Sequence, residues 1–358
     1  MPGCQIPHFG LARQYNNLKD ELLDATHRAL KDGQLVGGSY TRAFESWLKY
    51  KTKTSYAMTV HSGTQALEII ARYKKIKHNE TMVGNPKVRI PNLTYPATLN
   101  AFLNAGWDVE LVDTDSYGIA KFELFGGLYD CMVGLYGRSP WGHHQLPARY
   151  DSVHGIIVDG AQHWLESNGH VGSGMAISFD PTKNLNSSGN GGAIVTNDEK
   201  MYLYAMSYTD NNKPYFHDIG TNSKMSEQDC AQLMVRTKYI DEWQQRREKI
   251  ANYWSDSFKN LPIKCLDDNT ASHTHQKFAI YMSDRNPLRN HLMTNGIQTK
   301  ISYDYVLGDL PIAKDLVKPD MLSTSVMLSR GVLSLPIYPE LTDIEVEYIA
   351  NTVKSFYP

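Results

Sequence analysis

Cysteine is scarce in this chain. Cys4, Cys131, Cys230 and Cys265 lie far apart and form no Cys-x-x-Cys pair, which argues against a disulfide framework or a thiolate zinc site and fits a reducing compartment. Long apolar runs are missing as well, and the opening MPGCQIPHFGLARQ lacks the basic start and apolar core of a secretion signal. The expectation is therefore a cytoplasmic protein with no membrane span. There is no excess of one charge: 36 basic against 38 acidic residues leave a formal net charge of −2 and a pI near 6.7. No long-range field then recruits nucleic acid or an anionic membrane, which leaves small molecules as the expected partners. His143, His144, His154, His163 and His170 are irregularly spaced and show no zinc pattern, so no metal is expected. Repeats, low-complexity tracts and Gly/Ser linkers are also absent, so any domains should pack directly on one another.

What is present is an ordinary globular composition, 41% hydrophobic and 21% charged over 358 residues. That length exceeds what one core usually serves, which predicts two domains sharing a cleft. Leu18, Leu22, Ala25 and Ala29 recur at helical spacing between Tyr15 and Asp32, with Gly33 as a stop. A second helix follows Gly37-Gly38, with Ser39 or Thr41 as its cap and Phe44, Trp47 and Leu48 facing inward. From Ser55 the texture changes to SYAMTV, VRIP, DVELVD, CMVGLYG, GIIVD, MAISF and GAIVT, β-rich runs alternating with turns and helical stretches. That alternation is the α/β signature. A long charged helical region runs from Ser226 to about Phe258, and the predicted division is a large domain over 1–235 and a smaller C-terminal domain over 236–358.

In open α/β sheets ligands bind at strand ends, and four such ends here carry chemistry. SYAMTV leads into His61-Ser62-Gly63-Thr64, where a small-residue turn and a helix N-terminus make an anion site; an ordinary capped turn would read the same. GIIVD ends in Asp159, three residues before Gln162; an acid there needs a cation or donors, and a protonated pyridine nitrogen is one such partner, a capping role the alternative. MAISF ends in Ser178 and Phe179, and Lys183 follows in a loop ahead of Gly189, Gly191 and Gly192. A lysine displayed between buried strands is open to desolvation, which makes it a usable amine nucleophile, although lysines are common on loops. PNLTYPAT supplies Tyr95, a ring that could stack on a heteroaromatic ligand or simply fill core. Pyridoxal phosphate needs an anion cradle, an acid, a lysine and an aromatic plate together.

In their order these motifs resemble the DegT/DnrJ/StrS-type nucleotide-sugar aminotransferases, a branch of the fold-type-I pyridoxal-phosphate enzymes. The resemblance covers nearly the whole chain, from LVGGSYTRAFESWL through HSGTQAL, PNLTYPATLNAFLNAGWDVELVDTD, VDGAQ and SFDPTKNL to LSLPIYPELTDIEVEYI. It implies a mostly parallel seven-stranded sheet flanked by helices, a smaller C-terminal α/β domain, and a homodimer with shared active sites. It further implies Lys183 as the Schiff-base lysine, Asp159 as the partner of the pyridine nitrogen, Gln162 near the ring or its phenolic oxygen, and Tyr95 stacked on the ring. Gly63, Thr64 and Ser178 would hold the phosphate, and Asn222 would reach the phosphate of the neighbouring subunit's cofactor.

The chain departs from the family pattern at several positions. Lys224 stands where arginine is usual, which loses a planar fork for anions. Ser302-Tyr303 replaces a His-Tyr pair, Asn190 takes an acidic position, and the segment between Asp115 and Asp130 is short. The implied reaction moves an amino group from an amino acid, glutamate being the usual family donor, to a nucleotide-linked keto-sugar. Lys183 argues against the sugar-dehydratase branch, which carries histidine there. A non-sugar carbonyl or amine, such as a modified nucleoside or cyclitol, stays open as the substrate, as does a regulatory protein with a relic site.

Overall fold

The structure, a computed structural model, describes residues 5–121, 129–141, 155–214, 216, 218–267, 271–316 and 323–357. His143, His144 and His154 lie outside them, as does part of the short segment after Asp115.

Two amphipathic helices come first. α1 (Leu11–Lys31) turns Leu18, Leu22, Ala25 and Ala29 inward. α2 (Ser39–Thr52) fully buries Phe44 and Leu48, each contributing about 1.5–3 kcal/mol when removed from water. The cap of α2 is not Ser39 or Thr41. Gly38 occupies that position without a local side-chain bond, and the carboxylate of the distant Glu227 accepts from the N–H groups of Gly38 at 2.7 Å and of Tyr40 and Thr41 at 2.9 Å. The Thr41 hydroxyl also donates to it. A buried carboxylate is favoured here because the helix end presents unsatisfied donors and the positive end of its dipole.

The seven β-rich runs become one sheet: β1 (Tyr56–Val60), β2 (Lys87–Pro91), β3 (Asp108–Val112), β4 (Tyr129–Val133), β5 (Ile156–Asp159), β6 (Met175–Ser178) and β7 (Gly192–Thr196). Their spatial order is β1-β7-β6-β5-β4-β2-β3. Pairing is parallel from β3 through β6, and β7 runs antiparallel to both its neighbours. Every residue of β6 and β7 is buried, as expected for strands covered on both faces. One face packs against α3 (Gly63–Asn79), α4 (Pro96–Asn104) and α5 (Glu199–Thr209), through residues such as Ile69, Phe102 and Met201. The other packs against α1, α2 and α6 (Glu227–Thr237), around Leu22, Phe44 and Leu233.

The helical region after Ser226 is two helices, because the chain breaks at Lys238–Tyr239 before α7 (Ile240–Phe258). α7 joins two cores. Its Ile240 and Trp243 pack under the large sheet, whereas Ile250, Trp254 and Phe258 belong to a separate cluster. That cluster surrounds a small antiparallel sheet of β8 (Lys264–Cys265), β9 (Phe278–Tyr281) and β10 (Val332–Leu335), in the order β10-β9-β8. α8 (Asn286–Thr294) and α10 (Asp343–Phe356) pack on it, and α9 (Ser323–Gly331) leads into β10. Ile6 bridges Ile297 and sits in this second core, so residues near the start of the chain are tied to its C-terminal part. Among the described residues no helix is long and apolar enough to cross a membrane.

Candidate active site

The ends of β1, β5 and β6 open onto one cavity of about 470 Å³, closed on its far side by residues before and after the small sheet's strands. The first wall starts at α3. Ser62 is its N-cap, and its hydroxyl accepts from the N–H of Gln65. The N–H groups of Gly63 and Thr64 belong to the first helical turn, which has no intrahelical acceptors. Gly63 is required by close approach, since a Cβ there would lie 2.7 Å from the Ser178 Cβ. Gly192 on β7 meets the Ser62 carbonyl carbon at 2.3 Å by the same test. Two glycines thus let a helix N-terminus come down onto the ends of β6 and β7, beside the buried Ser178.

Asp159 ends β5. One of its oxygens accepts from the Thr98 hydroxyl at 2.8 Å and the other from the Ala161 N–H at 3.2 Å. Thr98 is fully buried on α4, so the carboxylate is fixed from behind. Gln162 is held at both ends: its Oε1 accepts from the Tyr136 N–H at 2.7 Å and its Nε2 donates to the Tyr303 hydroxyl at 3.4 Å. Tyr95 is no core residue. It is 57% exposed at the start of α4, with its ring centroid 5.8 Å from that of Tyr303.

Lys183 lies on a loop clamped from several sides. Its N–H bonds to Asp180 O, the Asp180 carboxylate accepts from Thr182, and Gln276 donates to Thr182 O at 2.9 Å. The neighbouring Asn184 donates to Thr274 O at 2.7 Å. Burial pulls the Lys183 amine below the ordinary lysine range, opposed by the carboxylates of Asp159 and Asp180. A desolvated amine facing acids spends more of its time as a nucleophile than a surface lysine does.

Seven of the eight residues singled out from the sequence therefore line one cavity: Gly63, Thr64, Tyr95, Asp159, Gln162, Ser178 and Lys183. Asn222 does not. It is exposed, bridges Asp210, and neighbours Lys224, whose amine pairs with Asp210 at 2.6 Å. Asn190 and Ser302 do reach the cavity wall. Lys277 and Lys300 were not foreseen. Both come from the small sheet, and only a lysine placed directly before the apolar run FAIY hinted at one of them. His163 is fully buried and is pushed down to about 4 by burial alone. Among the described residues, three metal-type ligands come together only at Asp267, His273 and His275, in a second cavity.

The sequence matches the DegT/DnrJ/EryC1/StrS aminotransferase family over residues 16–121 and 142–354. A dTDP-3-amino-3,4,6-trideoxy-alpha-D-glucose transaminase from Streptomyces venezuelae is 27% identical, with 98% of this chain and 96% of the relative covered. A pleiotropic regulatory protein from Geobacillus stearothermophilus is 24% identical, with 98% of each covered. Among solved structures, S. venezuelae DesV in complex with a ketimine intermediate superposes with a TM-score of 0.86 at 25% identity, covering 98% of each chain.

Proposed function

This chain belongs to the DegT/DnrJ/EryC1/StrS aminotransferase family, and we propose that it transfers an amino group from an amino acid to a nucleotide-linked keto-sugar, using pyridoxal phosphate bound through Lys183. The observation that carries this reading is the meeting of a desolvated lysine, a fixed carboxylate and an open helix N-terminus in one cavity. Those residues suit the cofactor. The side-chain-free approach of Gly63 to Ser178 leaves backbone donors aimed at a phosphate, as helix N-termini generally do. Asp159 suits a protonated ring nitrogen, and the exposed ring of Tyr95 offers a flat apolar surface.

When bound, pyridoxal phosphate supplies an electron sink and stores the amino group between two half-reactions. The chain's own residues do the rest. Lys183 Nζ, weakened as a base by burial, takes a proton from the substrate carbon that bears the nitrogen and later returns one. Asp159 holds a proton on the ring nitrogen through a charge-assisted hydrogen bond, a contact worth about 1.5–3 kcal/mol. Thr98 and Ala161 keep that carboxylate aimed, and Gln162 donates to the Tyr303 hydroxyl.

Residues 1–235 act in this reading as the cofactor-binding domain and 236–358 as a small domain. Two copies form a homodimer in which Asn222, outside its own chain's cavity, serves the neighbour's phosphate; a two-fold interface makes such exchange reciprocal. The free thiols of Cys131, Cys230 and Cys265 support a reducing, cytoplasmic setting. The Geobacillus relative is named a regulatory protein; a purely regulatory role for this chain would have no use for a desolvated lysine.

Borohydride reduction of the cofactor-loaded protein, followed by peptide mass spectrometry, tests the reading. The adduct is expected on Lys183 and absent from Lys183→Ala; an adduct on another lysine overturns the assignment. Loading the protein with amino groups from L-glutamate and then presenting keto-sugar nucleotides, or keto forms of nucleosides and cyclitols, identifies the acceptor class.

A further inference from the structure

Two amines in the cavity play no part in the chemistry above. Lys277 lies one residue before β9, and Lys300 bridges Ser334 of β10, so both are carried by the small sheet. Lys277 Nζ stands 6.0 Å from the centroid of Tyr303, and Lys300 Nζ stands 4.7 Å from that of Phe9. Both residues line the cavity. Neither amine makes a hydrogen bond or ion pair among the described residues. Two arginines that sit deep among the described residues do have partners: Arg89 has Asp130 at 2.7 Å, and the buried Arg247 donates to Ile337 O at 2.7 Å.

A half-buried ammonium group with two like charges beside it is costly unless an anion comes to it. The acid close enough to help is Asp180, and one of its oxygens is already taken by Thr182. The anion cradle at Ser62–Thr64 and Ser178 is on the other wall, whereas Lys277 stands over Tyr303, which is bonded to Gln162 and neighbours Tyr95. We propose that Lys277, assisted by Lys300, forms a second anion site in this cavity, which binds a substrate carboxylate and so positions the substrate against Lys183. The proposal rests on the reading of the cavity as the aminotransferase site. The carboxylate belongs either to the amino-acid donor or to an acidic sugar acceptor.

Electrostatics support the geometry. Burial, with Lys183 and Lys300 nearby, pushes Lys277 down to about 7. The groups facing it are Lys183, Lys300, Asp180, His8 and Tyr303. His8 is pushed down to about 3 by burial and by Lys277 and Lys300, and the buried Tyr303 hydroxyl is raised further above neutrality. Neither of those two changes charge near pH 8. A carboxylate arriving at Lys277 favours its charged form, so binding takes up a proton there.

Calorimetry on the cofactor-loaded dimer tests this with two probes, glutarate for the donor arm and D-glucuronate for the sugar-acid arm. Titration at pH 8 in two buffers of different ionisation heat reads proton uptake. Wild-type protein is expected to bind one probe with uptake of a fraction of a proton. Lys277→Gln should bind it at least about tenfold more weakly, the loss of a single charge-assisted contact, and with no uptake. Lys277→Arg should restore affinity, and Lys300→Gln should cause a smaller loss. The probe that responds identifies the source of the carboxylate. Wild-type affinity and uptake in Lys277→Gln overturn the proposal, as does a wild-type protein that binds neither probe. Borohydride trapping on the same samples separates the two readings. An adduct on Lys183 together with an unaffected Lys277→Gln sinks only the second anion site, whereas absence of the adduct sinks the cofactor assignment itself.

Discussion

The two walls of the cavity differ in how their polar groups are held. On the large-sheet wall the carboxylate and the backbone that carry the chemistry are tied to protein: Asp159 by Thr98 and Ala161, the Lys183 loop by Gln276 and Asp180, the α3 end by Ser62. On the small-sheet wall Lys277 and Lys300 rest near aromatic rings with no ion pair among the described residues. The first arrangement fixes groups that must meet a cofactor in one orientation, the preorganisation on which catalysis depends. The second leaves charge uncompensated in the free protein. Its cost is offset only when a ligand arrives, so that wall suits a substrate that comes and goes.

The largest expected effect is on the organised wall. Asp159→Asn should still form the Lys183 adduct but slow single-turnover amino transfer on the order of 10²-fold, because an amide cannot hold the ring proton by charge. Unchanged single-turnover rates would remove Asp159 from this role.

On the uncompensated wall the sign is reversed, and Lys277→Met should stabilise the protein. With Lys277 at about 7 in the fold and an ordinary lysine value when unfolded, the unfolded chain binds more protons between about pH 7 and 10.5. The contribution of Lys277 to stability therefore rises with pH through that window, and its penalty is greatest below it. Thermal melts should show Lys277→Met ahead by a few degrees, roughly 2–4 °C per kcal/mol for a large domain, at pH 6.5, with the gap closing towards pH 10. An equal or lower melting point at pH 6.5 contradicts an uncompensated charge.

The smallest effect is expected at Thr98→Val. It removes one of the two donors to Asp159 and leaves the Ala161 N–H, so amino transfer should slow by less than about tenfold. A loss as large as that of Asp159→Asn would show that Thr98 contributes more than orientation.

Most of the organised wall was legible in the sequence because its chemistry sits at strand ends. His61-Ser62-Gly63-Thr64, Asp159 and Ser178 each close a short apolar run, and the loop bearing Lys183 follows the last of these at once. The sequence therefore marks such positions locally; parallel pairing brings the ends of β5 and β6 to one edge of the sheet, and two antiparallel pairings through β7 set the end of β1 beside them. Tyr95 was open to a core role until its exposure was seen. The opposite wall had no comparable local mark. Lys277 and Lys300 reach the cavity only because β9 and β10 pair and the small sheet closes over the large one.

The cap of α2 shows the same limit. Ser39 and Thr41 are the residue types that cap helices, yet Glu227 takes the part from 189 residues away. The break between α6 and α7 also escaped the pattern, because charged residues run through both helices and the apolar residues on either side of the break pack into the same core. Periodicity and strand-end chemistry, both properties of neighbouring residues, determined the α/β class, the seven strands and the identity of Lys183 and Asp159 as candidates. Only the tertiary structure decided which unpaired charges share the cavity with them, because those contacts join segments about a hundred residues apart and depend on how two separately packed cores meet.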